Sequence, residues 1–156
     1  MRKKKAKTRA RKGKPIRQVA ALPYRRHADG GMEFMVVTSR ATGRFILPKG
    51  WPVKGMTDAE AAAEEAEQEA GVVGRVDKHP IGRYRYWKRL ADAFVPITVT
   101  VYPLEVEAEA RDYREQEQRA RGWLQPAQAE LLIDDPELKS LIREASRVLE
   151  NERKRV

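Results

Sequence analysis

The segment LPKGWPVKGMTDAEAAAEEAEQEAGV, Leu47–Val72, decides the fold. It opens on a glycine-rich loop, continues as an alanine- and glutamate-rich helix, and stops at a glycine. Thr57 followed three residues later by Glu60 is a capping box and starts the helix. Gly71 stands where a C′ glycine ends one. On a helical wheel of about 100° per residue, Ala59, Ala62, Ala63, Ala66 and Ala70 share one arc. A stripe of side chains this small lets a helix backbone approach a sheet closely. Glu60, Glu64 and Glu67 fall on the opposite side and are expected in water. Glu65, Gln68 and Glu69 form a third cluster, with the i+3 and i+4 spacing that makes side chains neighbours.

That cluster is electrostatically awkward. Two carboxylates one turn apart cost a few tenths of a kcal/mol in an isolated helix. The helix dipole adds to the penalty near the C-terminal end. A divalent cation removes both costs, and hard ions such as Mg²⁺ take oxygen ligands while keeping water and phosphate in their shell. The bland alternative is a solvated acidic face. Residues just before the helix favour the first reading. GRFILPKGWPVKG places Arg44, Lys49 and Lys54 around the glycine loop. Cations beside a carboxylate cluster suit a metal-bound polyphosphate, in which the metal bridges oxygens and Lys or Arg neutralises the rest.

Working outward, Arg17–Arg26 reads as a first strand, Ala28–Gly31 as a turn and Met32–Arg40 as a second strand, so the pair forms a hairpin. Arg44–Gly50 is a short third strand. Beyond the helix, VVGRVDKH and IGRYRYWKR are strand material, and Val95–Val106 alternates strongly. Residues 107–120 are charged and expected to be loop, with RGWL a last short strand. Asp134–Val156 reads as a second helix, capped by Asp135 with Pro136 at its first position. This order implies an α/β (α+β) architecture, a mixed sheet with helices packed on it.

The chain has 156 residues, 41% hydrophobic and 35% charged, with no cysteine. Disulfides and thiolate metal sites are therefore excluded, and a reducing, cytoplasmic setting is expected. No apolar run approaches the ~20 residues that cross a bilayer, so no membrane role is expected. The net charge of +9 is concentrated: residues 1–14 hold nine Lys/Arg and no acid, which leaves the remainder balanced. Residues 1–16 are expected to form a basic disordered tail before a single domain, 17–156. The tail is either solubilising or an electrostatic handle for nucleic acid or another polyanion.

The segment resembles the box of the Nudix hydrolases, written Gly, five residues, Glu, seven residues, then Arg-Glu-U-x-Glu-Glu-x-Gly-U with U bulky aliphatic. Gly50, Glu65, Glu69, Gly71 and Val72 match, and Ala66 is a small version of the aliphatic position. Three positions depart: Met56 replaces the early Glu, Glu64 the Arg, and Gln68 the first Glu of the Glu-Glu pair. RFILPKGW with EAGV is similar to the diphosphoinositol-polyphosphate and dinucleoside-polyphosphate phosphohydrolase subgroup. The resemblance implies a Nudix-type α/β/α sandwich and hydrolysis of a diphosphate linkage by water attack at phosphorus with Mg²⁺ or Mn²⁺. It implies Glu65 and Glu69 as catalytic metal ligands, with Gly50 through its carbonyl as a further one, and Gln68 either as a weak ligand through its amide oxygen or as the holder of a coordinated water. Arg44 or Arg83 would replace the missing box arginine. Glu115 and Glu117 are candidates for the carboxylate that many members place outside the box.

In GRYRYWKR, Arg83 and Arg85 alternate with Tyr84 and Tyr86. Either the arginines form a cationic wall for polyphosphate, or the tyrosines lie in the core and the arginines in water. Trp51 either stacks on a ligand or caps the core. Three functional readings remain open: a small-polyanion diphosphate hydrolase, a Nudix-fold binding module without turnover, and an RNA 5′-end pyrophosphohydrolase anchored by the basic tail. Oligomeric state is not legible.

Overall fold

The computed structural model describes residues 16–154, so the basic segment 1–14 lies outside the described residues. In chain order the elements are β1 (Ile16–Arg26), β2 (Met32–Thr38), β3 (Phe45–Ile46), β4 (Lys49–Gly50) and α1 (Asp58–Glu65), which runs into a π-helical turn (Ala66–Ala70). There follow β5 (Val72–Val76), β6 (Gly82–Leu90), β7 (Ala93–Glu109), β8 (Arg121–Leu124), α2 (Pro126–Leu132) and α3 (Pro136–Lys154). Ile16, placed in the tail by the sequence reading, is buried as the first residue of β1.

β1 and β7 run parallel through the middle of one mixed sheet, from Ile16 opposite Ile97 to Tyr24 opposite Glu105. On its far side β7 is long enough to serve two antiparallel partners, β6 along its first half and β5 along its second. β1 and β2 pair only near their turn, Tyr24 opposite Phe34. Further along they part, and residues 45–50 fit into the gap. β3 pairs with β2 at Val37 and Thr38, and β4 pairs with β1 at Val19 and Ala20. The expected single strand Arg44–Gly50 is thus two short ones. Pro48, which lacks an N–H for a ladder, sits between them.

Period-two alternation divides the core. Leu22, Phe34, Val36, Ile97, Val99 and Val101 face α3 through Leu138, Leu141, Ile142 and Leu149. Val19, Ala21, Met35, Val37 and Leu104 face α1 through Ala59, Ala61, Ala62, Ala66 and Ala70. The α/β/α sandwich follows, with the alanine stripe giving the close helix–sheet contact expected of it. Ala61 joins that stripe, and Ala63 lies at its half-buried margin.

The capping residues act as the sequence implies. Thr57 accepts from the Glu60 N–H and Glu60 accepts from the Thr57 N–H. Asp135 Oδ1 accepts from the Glu137 and Leu138 N–H groups at the start of α3. α2 was not foreseen. It is short, and its capping box is formed by Gln125 and Gln128 rather than by Ser, Thr or Asp.

Candidate active site

The gap between β1 and β2 sets β4 against the C-terminal half of the α1 helix, and the carboxylates collect there. The Lys49 N–H donates to Glu69 Oε1 at 3.2 Å. A Cβ on Gly50 would stand 2.2 Å from Glu65 Oε1, so only glycine leaves room for that carboxyl group. Glu69 is 5% exposed. Glu65 and Glu69 share a hydrogen bond, and both acids are pushed up from the ordinary carboxylate value. For Glu65 the causes are burial, then the bond to Glu69 and its charge, and the value rises to about 8. For Glu69 burial dominates, opposed by the bond to Glu65 and by Arg119.

The π-helical turn is the local device that aims these groups. The Gly71 N–H reaches back five residues to the Ala66 carbonyl as well as to Glu67. The wider turn rotates later side chains relative to a straight helix, and such turns gather at functional sites. Glu69 is turned inward. Gln68 is turned away: its amide N–H₂ donates to Glu64 Oε1 at 3.0 Å, and its Oε1 accepts from Arg114 at 3.4 Å.

The cations that offset this acidic helix end come from the loop before β8 and from β8 itself. The Arg119 side chain is 9% exposed. Its guanidinium donates to Glu115 Oε1 and to the Thr38 carbonyl, each at 3.0 Å, and lies 3.9 Å from Glu69 Oε2. Glu115 is held in turn by its N–H on the Gln68 carbonyl. Arg121 donates to the Ala70 and Ala110 carbonyls and lies over the Tyr113 ring. It satisfies the helix's last carbonyls and places positive charge where the dipole favours it.

Beside the acids is a half-apolar, cationic wall. Lys49 Nζ lies 5.0 Å from the centre of the Tyr86 ring, and Lys88 Nζ lies 5.3 Å from that of Trp51. Burial lowers the Lys49 ammonium to about 8, against the attraction of Glu69. Tyr86 is tethered through its hydroxyl to the buried Gln18 at 2.6 Å.

The sequence candidates therefore divide. Gly50, Glu65, Glu69 and Lys49 come together, and Glu115 joins them. Glu117 is exposed, as is Lys54 in the loop before α1. Gln68 is engaged elsewhere. Arg44 is exposed and 3.9 Å from Asp134. Arg83 and Arg85 lie on the outer face of β6, because the strand's alternation spends its inward positions on Tyr84 and Tyr86. The arginine that reaches Glu69 and Glu115 is Arg119, which is not legible from the sequence. Its sole signal is the RARG alternation leading into β8.

Among the described residues no three acidic or imidazole side chains are grouped as a metal site. The corner offers two carboxylates held in contact at an electrostatic cost that a divalent ion would relieve. One or two carboxylates completed by water and phosphate is how Mg²⁺ is commonly held, so the residues fit such an ion.

No family model matches the chain. Nudix hydrolase 12, mitochondrial, of Arabidopsis thaliana is 28% identical over 149 residues, 85% of this chain and 73% of the relative. Across the first three curated relatives, the chain spans 73%, 56% and 64% of their lengths. A C. elegans Ap4A hydrolase, solved as a binary complex, superposes with a TM-score of 0.65 at 20% identity. The match covers 86% of this chain and 97% of that one. The NUDIX domain of Shewanella oneidensis NrtR, complexed with ADP ribose, gives 0.63 at 17% identity over 86% and 88%.

Proposed function

Because the chain belongs to the Nudix hydrolase family, we propose that it hydrolyses a diphosphate linkage in a small polyanion, using Mg²⁺ or Mn²⁺. The substrate class is a nucleoside diphosphate joined to a second group, a dinucleoside polyphosphate or a diphosphoinositol polyphosphate. The observation that carries this reading is the pair of the half-buried Glu65 and the buried Glu69 gathered against Lys49 and Gly50. The Ap4A hydrolase and ADP ribose structures among its fold neighbours support a nucleotide-type substrate.

Glu65 and Glu69 would hold the ion, which when bound polarises phosphate oxygens and the attacking water. Arg119 fixes Glu69 and Glu115 relative to each other. Glu115 is the carboxylate outside the box that reaches the corner, held by Arg119, and it would accept the proton from water. Lys49 and Lys88 would set positive charge beside the phosphates, with the half-buried Trp51 and Tyr86 rings next to those cations supplying apolar contact. Water adds to phosphorus as the bridging oxygen departs, giving two phosphorylated products.

A panel of such substrates assayed with Mg²⁺ and Mn²⁺ tests the proposal. Metal-dependent product release is expected, falling about 100-fold or more in Glu69→Gln. Release that ignores metal, or survives Glu69→Gln, overturns it. A second reading, a binding module, is favoured by the engagement of Gln68 with Glu64 and Arg114. It predicts nucleotide binding without release even in Mn²⁺.

A further inference from the structure

The β6–β7 ribbon carries a second surface that the carboxylate corner does not use. Unbroken antiparallel register from Gly82–Val101 to Leu90–Ala93 sends Arg83, Arg85, Trp87 and Arg89 to the outer face. Across the ladder Phe94 stands opposite Arg89 and Pro96 opposite Trp87. Trp87 and Phe94 are thus diagonal neighbours on one face, within reach of one another. Each is 69% exposed. One strand further in, Arg17 of β1 aligns with Thr98, the partner of Arg85. Arg17 pairs with Asp58 and Arg85 with Glu137, whereas Arg83 and Arg89 have no salt-bridge partner among the described residues.

We propose that this face binds single-stranded nucleic acid, with Trp87 and Phe94 stacking on bases and Arg83 and Arg89 on phosphates. Flat aromatic groups spaced among cations suit a single strand, because every base offers a ring face and every linkage a negative charge. Guanidinium forks match phosphate oxygens in two-pronged contacts. Charge complementarity extends along the chain. The sequence also holds nine Lys/Arg in residues 1–14, outside the described residues. A second copy docked here through a two-fold axis would set the arginines against themselves. The proposal does not depend on the hydrolase reading.

The test is fluorescence anisotropy of the full chain with labelled RNA and DNA of about 15 nucleotides, across a salt series. Single strands are expected to bind more tightly than a duplex of equal length. Trp87→Ala and Phe94→Ala each weaken binding about tenfold, and Trp87→Phe keeps most of the affinity. Arg83→Gln with Arg89→Gln lowers the salt slope by about one to two. Both aromatics are exposed, so these variants should fold. The proposal is overturned if the ribbon variants bind like the parent, since residues 1–14 would then account for all affinity. It also fails if duplex binds equally well, if Trp87→Ala only dissociates a dimer, or if anionic phosphatidylserine vesicles bind and oligonucleotides do not.

Discussion

Arg119 is the residue on which the acidic corner turns. The Nudix box sets an arginine directly before its first metal-binding Glu, and this chain has Glu64 there. The charge is restored by a guanidinium from a distant loop, which serves Glu115, the Thr38 carbonyl and Glu69 together. Removing a buried ion-pair partner leaves its carboxylates uncompensated. Arg119→Gln is therefore expected to lower the unfolding free energy by about 3 kcal/mol, read from urea melts. Arg119→Lys should recover little, because one ammonium cannot reproduce a planar fork aimed at three acceptors. Full stability in either variant would mean that the acids are not held by this cation. Glu65 and Glu69 were legible because one helix carries them four residues apart, and Gly50 only because the segment before that helix resembles the Nudix box. Arg119 was not, because nothing in local sequence pairs a loop arginine with a helix so far back. Gln68 misled for the converse reason: its spacing suited the site, but the turn points it elsewhere.

At the scale of elements, helix ends show where local rules suffice. Thr57 with Glu60, Asp135 with Pro136, and Gly71 each mark a helix end through chemistry confined to a few residues. The π-helical turn carries no such mark, and the split of residues 45–50 into β3 and β4 depends on β1 and β2 diverging, a tertiary fact. Gly71 joins the two levels. Its φ of +66° is one that residues with a Cβ rarely adopt, and an added Cβ would lie 2.3 Å from the Tyr113 ring and 2.6 Å from Arg121 Nη1. Backbone strain and crowding together should make Gly71→Ala destabilising by about 3 kcal/mol. Displacing Arg121 would also uncap the Ala70 carbonyl. A thermal melt of Gly71→Ala close to that of the parent would show that Tyr113 and Arg121 move aside freely.

For the whole molecule, the Glu65–Glu69 pair links folding to pH and, on the proposed function, to metal. Glu65 ionises near 4.5 in the unfolded chain and at about 8 in the metal-free fold, mainly through burial. Between those values the folded state binds more protons than the unfolded one, so stability must fall as pH rises through this window. Lys49 has the opposite sign in a different range. Lowered to about 8 from 10.5, it sheds its proton earlier in the fold than in the unfolded chain, so stability is regained above pH 8. Metal-free protein should therefore melt at progressively lower temperature from pH 5.5 to 8, the decline flattening near 8. Mg²⁺ needs both carboxylates ionised, so its binding displaces the shared proton. Its stabilising shift in melting temperature should be larger at pH 7.5 than at 5.5, once ion concentration is saturating at both. Titration calorimetry at pH 7 in two buffers of different ionisation enthalpy should register release of about one proton per ion. Melting temperatures that rise steadily over this range without metal, or binding heats independent of buffer, would place the ion away from Glu65 and Glu69.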